Sequence, residues 1–220
     1  MWIEGLPNGE GTYKWVDGGT YQGEFLAGLK SGKGTLRLGE IFYKGDFIND
    51  KYHGEGRLVV KGEYEYVGEF SNGEFHGKGI IRYENGKTFN GEFNNGKKVG
   101  EGVLTIKHGE DGPEEKYVGE FQDDYYHGFG KYTFKDGSVY EGNWDRGKKS
   151  GKGTFFNMSP EPGEPEKFEG LFEEDKMIGN DWTNEIRSKA NILPLDLLKK
   201  AKTKSNLERK EGIDDEQRKI

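Results

Sequence analysis

The chain is predicted to be all-β, an elongated single-layer antiparallel sheet of stacked β-hairpins followed by a short C-terminal helical segment. Three observations predict this. Aromatic-x-Gly-x-aromatic recurs seven times between Tyr21 and Phe172, centred on Gly23, Gly45, Gly68, Gly91, Gly119, Gly142 and Gly170. A second glycine follows each centre by nine residues, at Gly32, Gly54, Gly77, Gly100, Gly128, Gly151 and Gly179, while the steps between centres range from 22 to 28. A fixed half joined to an elastic half is what a rigid supersecondary unit with tolerant turns looks like in sequence. Parity is the third observation. Tyr140, Gly142 and Trp144 share one face of an extended strand, as do Gly128, Gly130, Tyr132 and Phe134, whereas Lys131, Thr133 and Lys135 take the other.

Taken in chain order, Gly9 to Trp15 reads as the second half of a unit whose first half is missing, either capped by Trp2 and Leu6 or begun upstream of this sequence. In the units that follow, the second strand places Leu36 and Leu38, Leu58 and Val60, Ile81 and Tyr83, and Leu104 and Ile106 on the aromatic side. One face is therefore buried and one wet, as antiparallel pairs allow. Four to six residues, as between Phe70 and Gly77, separate the strands of a unit, and pairs such as Asn85-Gly86 and Asp136-Gly137 join one unit to the next. Asn49-Asp50 and Asp123-Asp124 lack the mid-turn glycine, so these turns are expected to differ locally. The two long steps put insertions at 108–116 and 157–167, on one edge of the stack. Glycine on the apolar side is expected to make room for the rings around it.

Composition agrees with this division. Hydrophobic residues make up only 31% of the chain, low for one large central core, yet 37 glycines and 14% aromatics argue against disorder. The array spans 1–182. Beyond it glycine nearly vanishes, and Asn184 and Pro194 can open two helical segments that form a cap over 183–204. Residues 205–220 form a charged tail. Residues 1–180 hold 23 Lys or Arg against 32 Asp or Glu, and 181–220 hold ten against eight. An acidic array lacks the clustered basic side chains that bind phosphates, which excludes nucleic acid as the expected partner. Cysteine is absent, and no stretch approaches the about 18 apolar residues of a spanning helix. A cytoplasmic protein is expected.

The pattern resembles the MORN repeat: Tyr66-Val67-Gly68-Glu69-Phe70, with Gly73, His76-Gly77 and Gly79, matches nearly every consensus position. Departures are Phe89 and Phe168 for the leading Tyr, Trp144 for Phe, and Asp181 for the last glycine. The resemblance implies a hairpin sheet with a groove along one face. It also implies scaffold roles in cytoskeletal assemblies, cilia and membrane junctions.

Catalytic, metal and cofactor roles are not expected. His53, His76 and His127 recur at one repeat position, but equivalents two strands apart lie about 10 Å from each other, too far to share a metal ion. Glu24, Asp46, Glu69, Glu92 and Glu120 follow the central glycine on the wet face and read as solvated charge, able to pair across strands with lysines such as Lys33. The aromatic stripe is the candidate partner-binding surface: Tyr43, Phe47, Tyr66, Phe70, Tyr83, Phe89, Phe93, Tyr117, Phe121, Tyr140 and Trp144. The expected partner is a protein helix or extended segment, and the expected role a non-catalytic scaffold in a cytoskeletal, ciliary axonemal assembly. Two alternatives are a peripheral membrane (phosphoinositide) tethering module, with Lys199, Lys200, Lys202 and Lys204 facing the lipid, and the regulatory repeat region of a larger enzyme.

Overall fold

The structure is a computed structural model that describes residues 2–3, 5–158 and 166–179. The described residues fall in one unit, Met1–Asn180. The predicted helical cap at 183–204 and the charged tail at 205–220 lie outside the described residues.

Strand β1 (Trp2–Ile3) pairs only with β2 (Leu6–Pro7). A single strand, β3 (Gly9–Lys14), then precedes seven hairpins. These are β4–β5 (Thr20–Leu26, Leu29–Leu38), β6–β7 (Ile41–Ile48, Lys51–Val60), β8–β9 (Tyr64–Ser71, Glu74–Tyr83) and β10–β11 (Lys87–Asn94, Lys97–Lys107). Then come β12–β13 (Glu114–Gln122, Tyr125–Thr133), β14–β15 (Val139–Asp145, Lys148–Phe156) and β16–β17 (Lys167–Glu173, Lys176–Gly179). β3 to β17 form one open 15-stranded antiparallel sheet in strict chain order. Every connection between hairpins therefore leaves from the same edge, including both insertions.

The turns inside the hairpins are tighter than the sequence suggests. Only two residues lie between the strands, and both have positive φ: Asn72 (53°) and Gly73 (94°), for example. This is the type I′ geometry whose twist matches that of the strands. Asn49-Asp50 (48°, 67°) and Asp123-Asp124 (49°, 73°) adopt the same turn, so the expected local difference does not occur. Asp and Asn tolerate the left-handed region well enough to stand in for glycine. At the N-terminus, Trp2 pairs with Pro7 and Ile3 with Leu6 in a two-stranded ribbon. Gly28 N–H donates to the Pro7 carbonyl (2.9 Å) and Ala27 N–H to Asn8 Oδ1 (3.1 Å), tying the segment from β2 to Asn8 to the turn of the first full hairpin.

Each of the six hairpins from β4–β5 to β14–β15 carries a defect at the same place, whereas β16–β17 displaces a single residue, Ile178, one position later. Gly23 pairs with Gly34, but its neighbour Glu24 pairs with Ser31, which sets Gly32 and Lys33 aside as a two-residue bulge. On its other side β5 pairs with β6 in unbroken register, Gly32 to Phe47 and Gly34 to Gly45. Because two residues are displaced, parity survives and the alternation of faces is unaffected. The displaced glycine has φ of +57°, and a Cβ there would meet the Glu24 carboxylate. Glu24 Oε1 accepts the Lys33 N–H at 2.9 Å, Glu69 the Lys78 N–H at 3.0 Å, and Glu120 the Phe129 N–H at 3.2 Å. Asn143 serves the same bulge in the opposite sense, donating from Nδ2 to the Lys152 carbonyl at 3.0 Å. The constant nine-residue interval is thus the distance from a capping side chain to the backbone it caps. These glutamates are structural acceptors as well as surface charges. Lys33 does pair across strands, its Nζ 2.6 Å from Asp46.

Candidate docking surface

The aromatic face has two rows, and the sequence does not separate them. Tyr21, Tyr43, Tyr66, Phe89, Tyr117 and Tyr140 form the inner row, each with no measurable exposure. Each ring lies across its own glycine pair. A Cβ on Gly23 would come within 2.6 Å of Gly34 Cα and 2.7 Å of the Tyr21 hydroxyl, and one on Gly34 within 2.6 Å of the Tyr21 ring. With the glycines in place the hydroxyl reaches over them to a backbone carbonyl three residues ahead. Tyr21 donates to Glu24 O (2.8 Å), Tyr43 to Asp46 O (2.9 Å), Tyr66 to Glu69 O (2.9 Å), Tyr117 to Glu120 O (3.0 Å) and Tyr140 to Asn143 O (3.0 Å). Burial holds these phenols in their neutral form, pushing Tyr21 and Tyr140 up to about 12 and Tyr43, Tyr66 and Tyr117 higher still. His53, His76 and His127 contribute backbone carbonyls near these hydroxyls, at 3.3–3.5 Å.

The second aromatic of each unit links hairpins. Phe47 meets Tyr21 edge to face at 5.2 Å and Tyr43 at 5.0 Å. Phe70, Phe93, Phe121 and Trp144 repeat this bridging and Phe172 meets Tyr140, so edge-to-face contacts run unbroken from Tyr21 to Phe172. Trp144 adds a buried hydrogen bond from Nε1 to the Gly130 carbonyl at 3.1 Å, which Phe could not make. Such ring pairs contribute about 0.5–1.5 kcal/mol each beyond their burial.

Of the predicted binding residues, Tyr43, Phe47, Tyr66, Phe70, Phe89, Phe93, Tyr117, Phe121, Tyr140 and Trp144 all lie in this sealed layer, at 5% exposure or less. Tyr83 alone is half-buried. The rings left partly accessible on this face belong to an outer row: Tyr64, Tyr83, Tyr132, Phe134 and Phe155. A cleft of about 360 Å³ lies beside Tyr83, Leu104 and Tyr126, and one of about 670 Å³ beside Phe134, Ser138 and Phe155. The first insertion is pinned at this edge. Glu115 accepts from the Tyr132 hydroxyl at 2.5 Å and lies 2.7 Å from His108 Nε2. The Tyr132 bond, with help from His108, holds the Glu115 carboxyl below its ordinary value against the effect of burial. Lys199, Lys200, Lys202 and Lys204 lie outside the described residues. Among the described residues no three His, Cys, Asp or Glu side chains cluster as metal ligands, and no helix is long and apolar enough to cross a membrane.

Sheet, bulge and ring layer together define a repeat protein built from stacked β-hairpins, six of which seal an inner ring against their own glycine pair. The family pattern of the MORN repeat matches residues 1–20, 21–39, 43–59, 66–88, 89–109, 117–139 and 140–157. The chain belongs to the MORN repeat family. The hairpin β16–β17 continues the array beyond the last match, pairing Gly153 with Gly170 as the others do. The chain is also similar to Alsin of Rattus norvegicus and of Homo sapiens, 35% identical over 187 residues that cover 81% of this chain. It spans 8% of the length of those relatives. MORN repeats are a non-enzymatic module family that generally mediates protein or membrane-lipid contacts.

Proposed function

We propose that this chain is a non-catalytic scaffold that docks a protein helix or extended segment along its aromatic face. The observation that carries this reading is the outer row. The inner rings are sealed by the sheet itself, yet Tyr64, Tyr83, Tyr132, Phe134 and Phe155 remain half-exposed along one edge with clefts beside them. Large rings with a polar tip suit protein interfaces. A cytoskeletal setting, in its sharpest form the ciliary axoneme, is supported by membership of the repeat family alone. Photo-cross-linkers at Tyr83 and Phe134 are expected to trap a protein in native extract, while one at the sealed Tyr66 traps none. Folded protein with no adduct at Tyr83 or Phe134 would refute the reading.

The relatives support a second reading, in which the array is the repeat region of a larger protein. Its match to 8% of Alsin is the observation in favour, and the length of the native transcript tests it. Membrane tethering through Lys199, Lys200, Lys202 and Lys204 is tested by liposome flotation with and without residues 195–220, in low and high salt.

A further inference from the structure

Three hairpins place a lysine beside the inner ring: Lys30 in β5, Lys98 in β11 and Lys149 in β15, each opposite the second aromatic of its unit. In two of them the ammonium turns to an aspartate of the next hairpin. Lys30 Nζ lies 2.7 Å from Asp50 Oδ1, and Lys98 Nζ 2.9 Å from Asp124 Oδ1. Lys149 keeps only half of that arrangement. Its backbone N–H donates to Asp175 Oδ1 at 2.9 Å. Its ammonium forms no ion pair among the described residues and lies instead 4.9 Å from the centre of the Phe134 ring and 5.4 Å from those of Tyr140 and Phe155.

One substitution between repeats accounts for the difference. Phe155 pairs with Tyr140 at the register position that Leu36 holds opposite Tyr21 and Leu104 opposite Phe89. Exposed ion pairs and cation–π contacts are worth similar amounts, so one added ring face is enough to draw an ammonium off a carboxylate. The ring-lined cleft of about 670 Å³ beside Phe134 and Phe155 includes Lys149 in its wall. Its carboxylates are engaged elsewhere: Glu115 by the Tyr132 hydroxyl and His108, and Asp136 by the Ser138 N–H at 2.9 Å. Lys135 adds a second cation to the same wall. Burial lowers the Lys149 pKa, with the charge of Asp175 opposing it. A lysine desolvated among apolar groups spends more of its time as the free amine, which is the nucleophilic form. The stack itself does not need a lysine here, since Tyr52, Phe75 and Tyr126 cover the inner ring in other hairpins.

We propose that Lys149 is an acylation site, at which the amine takes a short acyl group from a thioester into the cleft between Phe134 and Phe155. The free amine attacks the thioester carbonyl carbon. The N–C bond forms as the C–S bond breaks, the sulfur leaves as thiolate with the bonding pair, and one amine proton passes to water. The product is a neutral amide, so the rings lose their cation. This inference goes beyond the scaffold reading and stands without it, because its test uses the chain alone.

The full chain is incubated with acetyl-coenzyme A, folded and in urea, and acetylation of each lysine is followed by peptide mass spectrometry. In the folded chain Lys149 is expected to react about tenfold faster than Lys30 and Lys98, with the three rates converging in urea. Lys148, one residue away and ion-paired with Glu174, is expected to lag as well. F155L, which installs the leucine of the other two hairpins, should return the ammonium to Asp175 and bring Lys149 down to the rate of Lys30 and Lys98. A folded-state rate for Lys149 no higher than theirs would overturn the proposal. So would a preference that survives in urea, which would trace it to local sequence, or a folded F155L that keeps the full rate. The comparison among lysines of the unchanged chain decides the matter even where F155L does not fold.

Discussion

Two kinds of hairpin alternate irregularly along the sheet, and they cover the inner ring in different ways. In β6–β7, β8–β9 and β12–β13 the residue opposite the second aromatic is Tyr52, Phe75 or Tyr126, stacked on the inner ring at 3.8–3.9 Å. In β4–β5, β10–β11 and β14–β15 it is Lys30, Lys98 or Lys149, with its ammonium 5.4–5.9 Å from the same ring. The choice is coupled to the next hairpin. Where a ring covers, the next turn carries Gly73, Gly96 or Gly147, whose N–H donates to the covering residue's carbonyl at 2.9 Å. Where a lysine covers, the next turn carries Asp50, Asp124 or Asp175, whose carboxylate also accepts the lysine's own N–H at 2.9–3.2 Å. Lys30 and Lys98 complete this with ion pairs of 2.7 and 2.9 Å. An aspartate in place of the turn glycine is therefore half of a coupled pair rather than a tolerated exception. Lys149 is the variant case: its ammonium settles among Phe134, Tyr140 and Phe155 at 4.9–5.4 Å, and burial lowers its pKa.

Both kinds share the glycine pair, so the largest effect should come from breaking it. Gly68→Ala would place a methyl within about 3 Å of Gly79 Cα and the Tyr66 hydroxyl. We expect a loss of about 3 kcal/mol, at the upper end of overpacked cores, read from urea unfolding. Next, Glu69→Ala should cost about 1–2 kcal/mol by leaving the Lys78 N–H of the bulge without its charged acceptor. The coupling between hairpins is smaller but more diagnostic. Asp124→Gly and Lys98→Phe should each destabilise, while the double variant, rewritten as the ring-and-glycine kind, should recover about 1 kcal/mol of their sum. Strict additivity would show that the two kinds are not coupled. Phe89→Tyr should gain at most about 1 kcal/mol if its hydroxyl finds the Glu92 carbonyl as the other tyrosines find theirs.

The smallest effects concern pH. At Asp50 and Asp124 burial opposes ionisation, but the Lys30 and Lys98 hydrogen bonds outweigh it and lower both pKa values below the ordinary 3.8. Their stabilisation is present above about pH 4 and lost as pH falls through the folded values. Hydrogen exchange in acid, corrected for intrinsic rates, should loosen lysine-covered hairpins before ring-covered ones. The inner tyrosines act in the opposite direction. Their raised pKa values keep stability intact below the ordinary 10.0, and it is lost as pH rises from there towards about 12. Both kinds should weaken together at that limit.

The stack itself was legible because Tyr-x-Gly-x-Phe and Gly-x-Gly-x-apolar hold one parity across every unit. The bulge was not, because displacing two residues leaves parity unchanged. Its one trace was the invariant nine-residue interval, which by itself does not reveal that Glu24 and Lys33 are bonded. Nor could alternation separate Tyr66 from Tyr64: both face the same way, and only the ring lying over Gly68 and Gly79 decides which is sealed.

The coupled pairs also restrict how such a chain can lengthen or shorten. Excising β8–β9 would bring Tyr52 against Gly96, a permitted junction. Excising β10–β11 would set Phe75 against Asp124, a ring facing a carboxylate with no ammonium between them. Loss of β10 to β13 together would again join Phe75 to a glycine, Gly147. Hairpins are thus not interchangeable beads. Gene duplication and deletion in such an array should leave boundaries only at matched junctions, so its history of gain and loss is constrained by side chains that never touch a ligand.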